Sequence, residues 1–494
     1  MEPTKALIIF LLELSILITI SLSRENHISP PSFSNNAHYQ EALLRLDSLK
    51  TSIKVASPSP PSSSTPSPPG EKKSGIFLVT SYGADPTGKS DSTEALLKAI
   101  QDAIRIPRKK HNLIPGVTDL GGAQIDLQGG NYLISHPLRL PATGFGNLMI
   151  HGGTIRASEN FPPNGYLIDL SETSNKGKQT QKASPTPSQY NYEYITIKDL
   201  LLDANFKGRG ISIINSLRIS IHNCYITHFT THGIQVQGGH ETFIHNTFLG
   251  QHITAGSDPD ERSFSGTGIT LASNDNVVTD VVVFSAAVGI MISGEANTIS
   301  GVHCYNKATS FGGTGIYVKL PGLTQTRIVN SYMDYTSIVV EDPVQLHISG
   351  SFFLGDANVV LKSKSGVISG VNIVNNMFSG SNSGVEIVHL DQSNGPFKQI
   401  DQVVVDGNNV NGMSLKTTIA RGSSMRNGTS WTVDFSKILL FPNLIRHVQY
   451  SLSVSGNAFP QHVLRNVSHN RVVIETNKIV QARAFVTVNQ CSDI

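Results

Sequence analysis

Charged side chains are scarce in this chain of 494 residues: Asp, Glu, Lys and Arg make up 15% of it. Soluble domains usually contain about 25%, so the composition argues against coiled coils and charge-rich helical bundles. The 38 basic and 36 acidic residues nearly cancel, which gives no sign of nucleic-acid binding. The only cysteines, Cys224, Cys304 and Cys491, match no metal-ligand spacing and allow at most one disulfide. We therefore expect neither a metal, a cofactor nor a disulfide-stapled scaffold.

The amino terminus predicts secretion. An apolar run over residues 6–20 is followed by the small residues Ser21 and Ser23, which suit a signal peptidase. The run has only about 15 strongly apolar residues against the ~20 of a membrane-spanning helix, and Glu13 interrupts it. We expect a cleaved signal peptide over residues 1–23 and a soluble, extracellular mature protein.

Composition then divides the rest of the chain. Residues 24–73 contain a short helical pattern and, at 57–69, a stretch almost wholly of Ser and Pro that predicts an extended linker. The folded domain is expected over residues 74–494. In this domain Asn427 and Asn466 begin triplets that fit N-glycosylation in a secreted protein.

A short phrase recurs through the middle of the chain. It consists of Gly, Ile, a variable residue and an aliphatic residue, at spacings of 23, 35, 21 and 26 residues. Its copies are Gly210–Ile213, Gly233–Val236, Gly268–Leu271, Gly289–Ile292 and Gly315–Val318. Short strands in a repeat of about 20–25 residues, with Gly and Asn at the corners, predict an all-β fold, a right-handed parallel β-helix. A β-sandwich gives no reason to repeat this phrase in register. Coils added along one axis also explain a length beyond the roughly 250–300 residues of a single core.

Both ends of the repeat have distinct patterns. A helix is predicted over residues 92–104, with Asp91 or Ser92 as its N-cap, and would cap the hydrophobic end of the solenoid. After Gly422 the repeat stops. The carboxy-terminal region from there, with Trp431, Phe435 and Phe441, is expected to cover the other end.

The start of the domain resembles a known group. Residues 79–88 read VTSYGADPTG and residues 90–93 read SDST, which is similar to the opening of the pectate-lyase and polygalacturonase superfamily. Residues 75–490 resemble the plant QUARTET-type polygalacturonases, a divergent branch that acts on cell-wall pectin. The usual family motifs Asn-Thr-Asp, Asp-Asp, Gly-His-Gly and Arg-Ile-Lys are absent. The nearest fragments are THG at 231–233 and GDANVVLKS at 355–363, in which Asp356 is kept and Ala357 replaces a second carboxylate.

The phrase also predicts which side chains face outward. Its Ile and Val point into the solenoid, so the variable positions form two columns with neighbours about 4.8 Å apart. The first column is predicted to contain Gln235, Thr270, Met291, Tyr317, Val339, Val360 and Glu386, and the second Gln237, Ala272, Ser293, Lys319, Glu341, Lys362 and Val388. The alternating charges of Lys319, Glu341 and Lys362 fit a purely structural ladder of opposite charges as well as a site.

The resemblance implies hydrolysis of α-1,4-galacturonosyl bonds, and inverting hydrolysis needs two carboxyl groups roughly 6.5–9.5 Å apart. The first hypothesis assigns Asp356 as general acid and Glu341 or Asp342 as the base. In this hypothesis Lys319 and Lys362 bind the uronate carboxylates of the substrate. Tyr317 supports a sugar ring, and Glu386 lies beside these residues. We expect a monomer whose partner is pectin or polygalacturonate, and neither a nucleic acid nor a membrane.

The sequence also allows a second candidate site and two other functions. An inserted loop places Asp258, Asp260 and Glu261 together, either as a solvated acidic turn or as a second site with His232. His303 and His347 are expected to be packing or surface residues. A Ca²⁺-dependent pectate lyase using Lys319 or Lys362, or a wall-binding protein without catalysis, would also fit this fold.

Overall fold

Glycine is required in the recurring phrase because successive strands stack directly on it. A Cβ on Gly210 would lie 2.1 Å from the carbonyl oxygen of Gly233, and one on Gly233 would lie 2.6 Å from that of Gly268. The same contact continues upward through Gly289 and Gly315 at 2.7 and 2.5 Å. A real Cβ does not lie so close to a carbonyl oxygen, so the phrase needs glycine wherever another coil lies on top of it.

A computed structural model of the protein describes residues 75–105, 111–171, 190–252, 265–305 and 312–491. The predicted signal peptide, the segment 24–73 and the acidic residues Asp258, Asp260 and Glu261 lie outside this part of the chain. Within it, 31 strands form a continuous ladder that is parallel except for one short antiparallel strand. The prediction of a parallel β-helix is confirmed.

Three sheets run along the solenoid, and each coil contributes to all of them. Strands of the first sheet are Leu138–Arg139, Tyr166–Leu170, Arg209–Leu217, His232–His240, Thr267–Asn274, Val288–Ile292, Thr314–Val318, Ser337–Glu341, Val359–Lys362 and Val388–Asp391. Strands of the second sheet are Ile76–Leu78, Val117–Asp126, Ser220–His222, Thr298–Ser300, Gly322–Val329, Pro343–Ser349, Val367–Val374 and Gln399–Asp406.

Strands of the third sheet are Thr87–Asp91, Asn131–Ile134, Tyr225–Thr227, His303–Cys304, Tyr332–Asp334, Phe352–Leu354, Met377–Ser379 and Asn409–Asn411. Four longer strands pass through both the second and the third sheet: Phe145–Ala157, Tyr192–Asp203, Phe243–Gly250 and Val277–Ser285. The antiparallel strand Asn112–Ile114 pairs with Val117–Asp126.

The corner between the second and third sheets is a single residue in the left-handed region. From the strand after Tyr192–Asp203 onward its occupants are Asn223, Asn246, Asp280, Gly301, Asn330, Gly350, Asn375 and Gly407. Asn and Asp tolerate this conformation better than other side chains, and Gly adopts it freely. The amide of Asn246 also donates to the Asn223 side-chain oxygen at 3.3 Å, which joins the corners of two successive coils.

One apolar core fills the solenoid. Inward side chains of the phrase are buried, and larger aromatics stack where coils widen, with the rings of Phe353 and Phe378 4.4 Å apart. The predicted first helix spans Thr93–Arg105, next to a 3₁₀ turn at Val79–Tyr82, and buries Leu96 and Ile100 in the same core. Its function as an end cap stays a prediction.

The carboxy-terminal region forms a separate antiparallel sheet with its own core. Its strands are Ile419–Asp434, His447–Val454, His462–Ser468 and Arg471–Asn489. Trp431 and Phe435 belong to this second core, whereas Phe441 packs into the core of the solenoid. Of the three aromatic residues singled out in this region, Phe441 alone joins the core of the solenoid, and coverage of the end by the region stays a prediction.

Further expectations concern accessibility and covalent bonds. Asn427 and Asn466 are exposed on the antiparallel sheet, as a glycan acceptor must be. All three cysteines are free thiols, two of them buried. Among the described residues, no helix has the length and apolarity to traverse a membrane.

Candidate functional site

The outward face of the first sheet has the columns that the phrase predicts. Thr270 pairs with Met291, Met291 with Tyr317, Tyr317 with Val339 and Val339 with Val360. The second column follows two residues later, and Glu341 pairs with Lys362 in it. These side chains therefore lie one above another along a single face, which can hold an extended polymer.

The last coil differs from the prediction. Val360 pairs with His389 and Lys362 with Asp391, so Glu386 and Val388 are not members of the columns. Residues 384–388 read GVEIV and imitate the phrase, but Val388 occupies the first inward position and Ile387 the place of the glycine. Glu386 instead binds Lys416 and His389, each at 3.1 Å, beside the end of the sheet. The predicted placement of Glu386 was wrong by three residues.

A cluster of ionisable side chains occupies four successive strands of this face. We call Tyr317, Glu341, Lys362, Lys364 and Asp391 the Glu341 cluster. Glu341 is buried, and its Oε1 accepts a hydrogen bond of 2.6 Å from the Tyr317 hydroxyl and lies 3.8 Å from the Lys364 ammonium. Burial, and secondarily the bond to Glu341, raises the pKa of Tyr317 to about 12. Tyr317 thus remains a donor that fixes Glu341, in addition to any contact with a sugar.

Asp391 lies two strands above Glu341 in the same column. Hydrogen bonds from Ser393 and then from Lys362 lower the pKa of Asp391 to about 2, and the Lys362 ammonium is 3.0 Å away. Lys319 is exposed one strand below Glu341. The column therefore alternates Lys319, Glu341, Lys362 and Asp391, which extends the predicted charge alternation by one carboxylate that the sequence register had missed.

Asp342 has the contacts of a structural carboxylate. It is fully buried in a left-handed conformation, and it accepts bonds from the backbone of Lys364, Ser365 and Gly366 and from the Ser365 hydroxyl. These bonds lower its pKa against the effect of burial. With its lone pairs occupied by the turn above, Asp342 is a poor candidate for the base that was expected.

Asp356 is also engaged at a corner. Its conformation is left-handed, and its carboxylate accepts bonds from the backbone and hydroxyl of Ser381 and from the hydroxyl of Ser383. The Ser381 hydroxyl bond is the largest cause of a lowered pKa. A general acid must carry its proton on a free oxygen before it reacts, and both Asp356 oxygens already accept hydrogen bonds, so these contacts argue against Asp356 as the proton donor.

A second cluster lies on the same face about five strand spacings lower, roughly 24 Å away. We call Arg139, Tyr166, Asp169, Arg209 and His232 the Arg209 cluster. Arg139 binds the buried Asp169 at 2.6 and 2.8 Å, and the Arg209 guanidinium lies 5.4 Å from the centre of the Tyr166 ring. Oδ1 of Asp169 and Nε of Arg209 are buried and have no hydrogen-bond partner among the described residues.

His232 belongs to this second cluster. It occupies the position equivalent to Arg209 in the next strand, with Nδ1 3.1 Å from the Thr270 hydroxyl. Burial, and then the charge of Arg209, lowers its pKa. As expected, His232 is several coils from Asp356. Its proposed acidic partners Asp258, Asp260 and Glu261 lie outside the described residues.

Sequence reasoning missed most of the Arg209 cluster although a signal existed. Arg209 and His232 each stand directly before the phrase glycine, a third outward position that the two predicted columns left out. Asp169 follows the same alternation in a strand without glycine, in which Leu167, Ile168 and Leu170 are buried.

Two further features bear on chemistry. Within the described ranges, no group of three His, Cys, Asp or Glu side chains could hold a metal ion. A surface cavity of about 350 Å³ lies on the second sheet beside Arg327, Gln345 and His347, but no carboxylate lines it. His303 and His347 lie away from the first sheet, as expected.

Solved structures with a similar fold are distant. The surface adhesin PfbA of Streptococcus pneumoniae is 13% identical, with a TM-score of 0.45, over 68% of this chain and 92% of its own. The mannuronan C-5 epimerase AlgE4 A-module of Azotobacter vinelandii is 14% identical, with a TM-score of 0.43, over 68% of this chain and 96% of its own. Similarities of this size carry no argument about activity.

Sequence relatives are more informative. The model of the family described as "Rhamnogalacturonase A/epimerase, pectate lyase-like" matches residues 76–314. Polygalacturonase QRT3 of Arabidopsis thaliana is 60% identical over 459 residues, which is 92% of this chain and 92% of that protein. An alignment of this length includes both clusters of the first sheet. The chain therefore belongs to the QRT3-type polygalacturonases within the pectate lyase-like β-helix proteins.

Proposed function

We propose that this protein hydrolyses α-1,4-galacturonosyl bonds of cell-wall pectin at the Glu341 cluster. The observation that carries this proposal is the single outward column in which Glu341, Lys362 and Asp391 follow one another on consecutive strands. Two strand spacings separate the backbones of the carboxylates by roughly 9–10 Å. From there the carboxyl groups can reach the roughly 6.5–9.5 Å of an inverting pair.

The two carboxyl groups have different surroundings, which suits different roles. Asp391, with its pKa lowered to about 2, is ionised and can accept a proton from the attacking water. Glu341 is buried, and both of its polar contacts fall on Oε1. We assign the transferable proton to its Oε2, from which it passes to the leaving glycosidic oxygen.

Three lysines provide positive charge that can bind an anionic substrate. Lys362 lies between the two carboxyl groups, Lys364 lies beside Glu341 and Lys319 is exposed one strand below. Each ammonium can bind the carboxylate of one galacturonate unit while the chain lies across the strands. The predicted signal peptide would deliver the protein to the wall, where this polyanion occurs.

The test compares isosteric variants. Glu341→Gln and Asp391→Asn should each lower the release of reducing ends from polygalacturonate at least about 100-fold, the usual effect of losing a general acid or base. Asp406→Asn, which removes a carboxylate from the second sheet, is the matched control and should retain activity. Asp356→Asn should also stay active. Full activity of both Glu341→Gln and Asp391→Asn would refute the proposal and leave a structural charge ladder.

Elimination is the second candidate, and the Arg209 cluster favours it. The lowered pKa of His232 keeps its imidazole neutral, as a base must be, and Arg209 can bind a uronate carboxylate next to it. Unsaturated products that disappear in His232→Ala but persist in Glu341→Gln would support this reaction. Loss of the unsaturated products in the presence of EDTA would indicate that the reaction needs a calcium ion. If the protein produces neither new reducing ends nor unsaturated products, it binds the polysaccharide without cleaving it.

A further inference from the structure

The outward column of the third sheet is apolar through eight successive coils. Its members pair strand by strand and are Leu201, Tyr225, Phe248, Val282, His303, Tyr332, Phe352 and Met377. We call these residues the aromatic stripe. Phe248, Phe352 and Met377 are 44–49% exposed, which is high for large apolar side chains in a sheet. Seven strand spacings give the stripe a length of about 34 Å.

The rings of the stripe touch one another. Tyr332 and Phe352 stack with centroids 5.9 Å apart, and His303 meets the edge of Tyr332 at 4.7 Å. Tyr225 and Phe248 lie 6.1 Å apart at the lower end. Because neighbouring rings support each other, the stripe is a continuous platform and not a set of isolated exposed side chains.

The geometry of the solenoid does not by itself require this platform. The equivalent column of the second sheet is mixed: Ser220, Phe243, Val277, Thr298, Arg327, His347 and Asn372. Contiguous exposed apolar surface on a soluble protein usually marks a binding surface. The third sheet is therefore specialised in a way that the second is not.

Charge decides which ligand suits the stripe. From Tyr225 to Met377, Asp334 is the only charged residue in the third-sheet part of the described strands, since Asp280 occupies the corner. The first sheet, in contrast, places three lysines in and beside the Glu341 cluster. A polyuronate would meet no cation in the third-sheet strands from Tyr225 to Met377 and one carboxylate, so its charge is unfavourable there.

We propose that the aromatic stripe binds an uncharged, extended polysaccharide. The less polar face of each pyranose ring stacks on an aromatic ring, and its hydroxyl groups reach the phenols of Tyr225 and Tyr332 and the carboxylate of Asp334. Successive positions of the stripe are about 4.8 Å apart, close to the length of one sugar unit in an extended chain, and five of the eight carry a ring. The protein would then hold a neutral wall polysaccharide on one face while another face acts on pectin.

The experiment measures binding to a neutral and an acidic polysaccharide in parallel. Affinity electrophoresis or calorimetry of the full chain with β-1,4-galactan, with soluble cello-oligosaccharides and with polygalacturonate gives three dissociation constants. We expect Phe248→Ala combined with Phe352→Ala to weaken binding of a neutral glycan roughly tenfold or more. The same double variant should cleave polygalacturonate at the wild-type rate, so this proposal and the proposed hydrolysis fail or hold separately.

Phe243→Ala is the matched control. Phe243 lies in the same strand as Phe248 and is equally exposed at 44%, but its side chain belongs to the second sheet. Its removal should leave neutral-glycan binding unchanged. Unchanged melting temperatures show that all variants fold. The proposal is overturned if the wild-type protein binds neither neutral glycan, if Phe243→Ala weakens binding as much as the double variant, or if the double variant only changes the oligomeric state.

Discussion

The hydroxyl of Tyr317 donates a 2.6 Å hydrogen bond to Oε1 of Glu341, which lies on the following strand of the first sheet. This bond joins the two outward columns diagonally. It also holds the Glu341 carboxyl group in one orientation. The contact with the exposed Lys364 alone would leave this group free to rotate. Tyr317 is in this sense a positioning residue for the proposed proton donor.

Tyr317→Phe should lower kcat on polygalacturonate roughly tenfold, equivalent to about 1.4 kcal/mol, the loss of one hydrogen bond to a buried acceptor. KM should change little, because the phenyl ring remains as a platform. Steady-state kinetics check this split, and Tyr332→Phe on the third sheet is the control. A large rise in KM with unchanged kcat would instead mean that the hydroxyl contacts the substrate.

Asp342→Asn should destabilise the protein without a specific effect on catalysis. An amide offers one acceptor oxygen where the carboxylate now serves four donors, and buried donors left without partners cost roughly 1–3 kcal/mol. Denaturant unfolding measures the loss, and the rate per folded molecule should be unaltered. An inactive variant of normal stability would restore Asp342 as the catalytic base.

Stability should fall as the pH drops from about 4 towards 2. Hydrogen bonds of Asp391 with Ser393 and Lys362, and of Asp434 with Ser436 and Arg471, lower both pKa values to about 2. A depressed native pKa stabilises the fold above the usual pKa of an aspartate near 4, and this stabilisation is lost as the carboxylate is protonated.

Denaturation midpoints across this range measure the effect. Asp434→Asn should flatten the acid limb of the profile, whereas Asp406→Asn, which removes a charge without either network, should not. A profile that is equally steep in the wild-type protein and in Asp434→Asn would contradict the assignment for Asp434.

Thiol labelling should distinguish the three cysteines. Burial raises the pKa of Cys224 and of Cys304 to about 12, so neither forms a thiolate at neutral pH, whereas Cys491 is half-buried. We expect a thiol reagent to modify at most Cys491 in the native protein and all three after denaturation, as mass spectrometry can count. Rapid native labelling of Cys224 or Cys304 would show that the coils around it open.

The sequence was sufficient for the fold because the repeated phrase combines two local rules. Alternation buries Ile and Val, and stacking leaves no room for a Cβ at Gly210 or Gly233. It was misleading in the last coil, where residues 384–388 imitate the phrase. Only the pairing of Val359 with Val388 shows that the true register starts later.

The site was predicted in part, and the two aspartates assigned to it, Asp342 and Asp356, share one physical cause of error. Glu341, Lys362 and Tyr317 were found because their column follows from alternation. Asp342 and Asp356 could not be classified, because the donors that occupy them come from serines more than 20 residues later in the chain. A left-handed conformation at an aspartate has no reliable signature in a single sequence. Tertiary hydrogen bonds decided which carboxylates were available.

The one-residue corner between the second and third sheets constrains how such a chain can diversify. An inserted residue there would reverse the inward and outward faces of the next strand, so Asn223 and Asn246 mark a seam of fixed length. The segment from the third sheet to the first is free of that constraint, and the 35-residue coil between Gly233 and Gly268 takes its extra length there. Extra length in this protein is therefore expected in the segments that enter and leave the first sheet, such as the 21 residues between Leu170 and Tyr192, and not at the corner between the other two sheets.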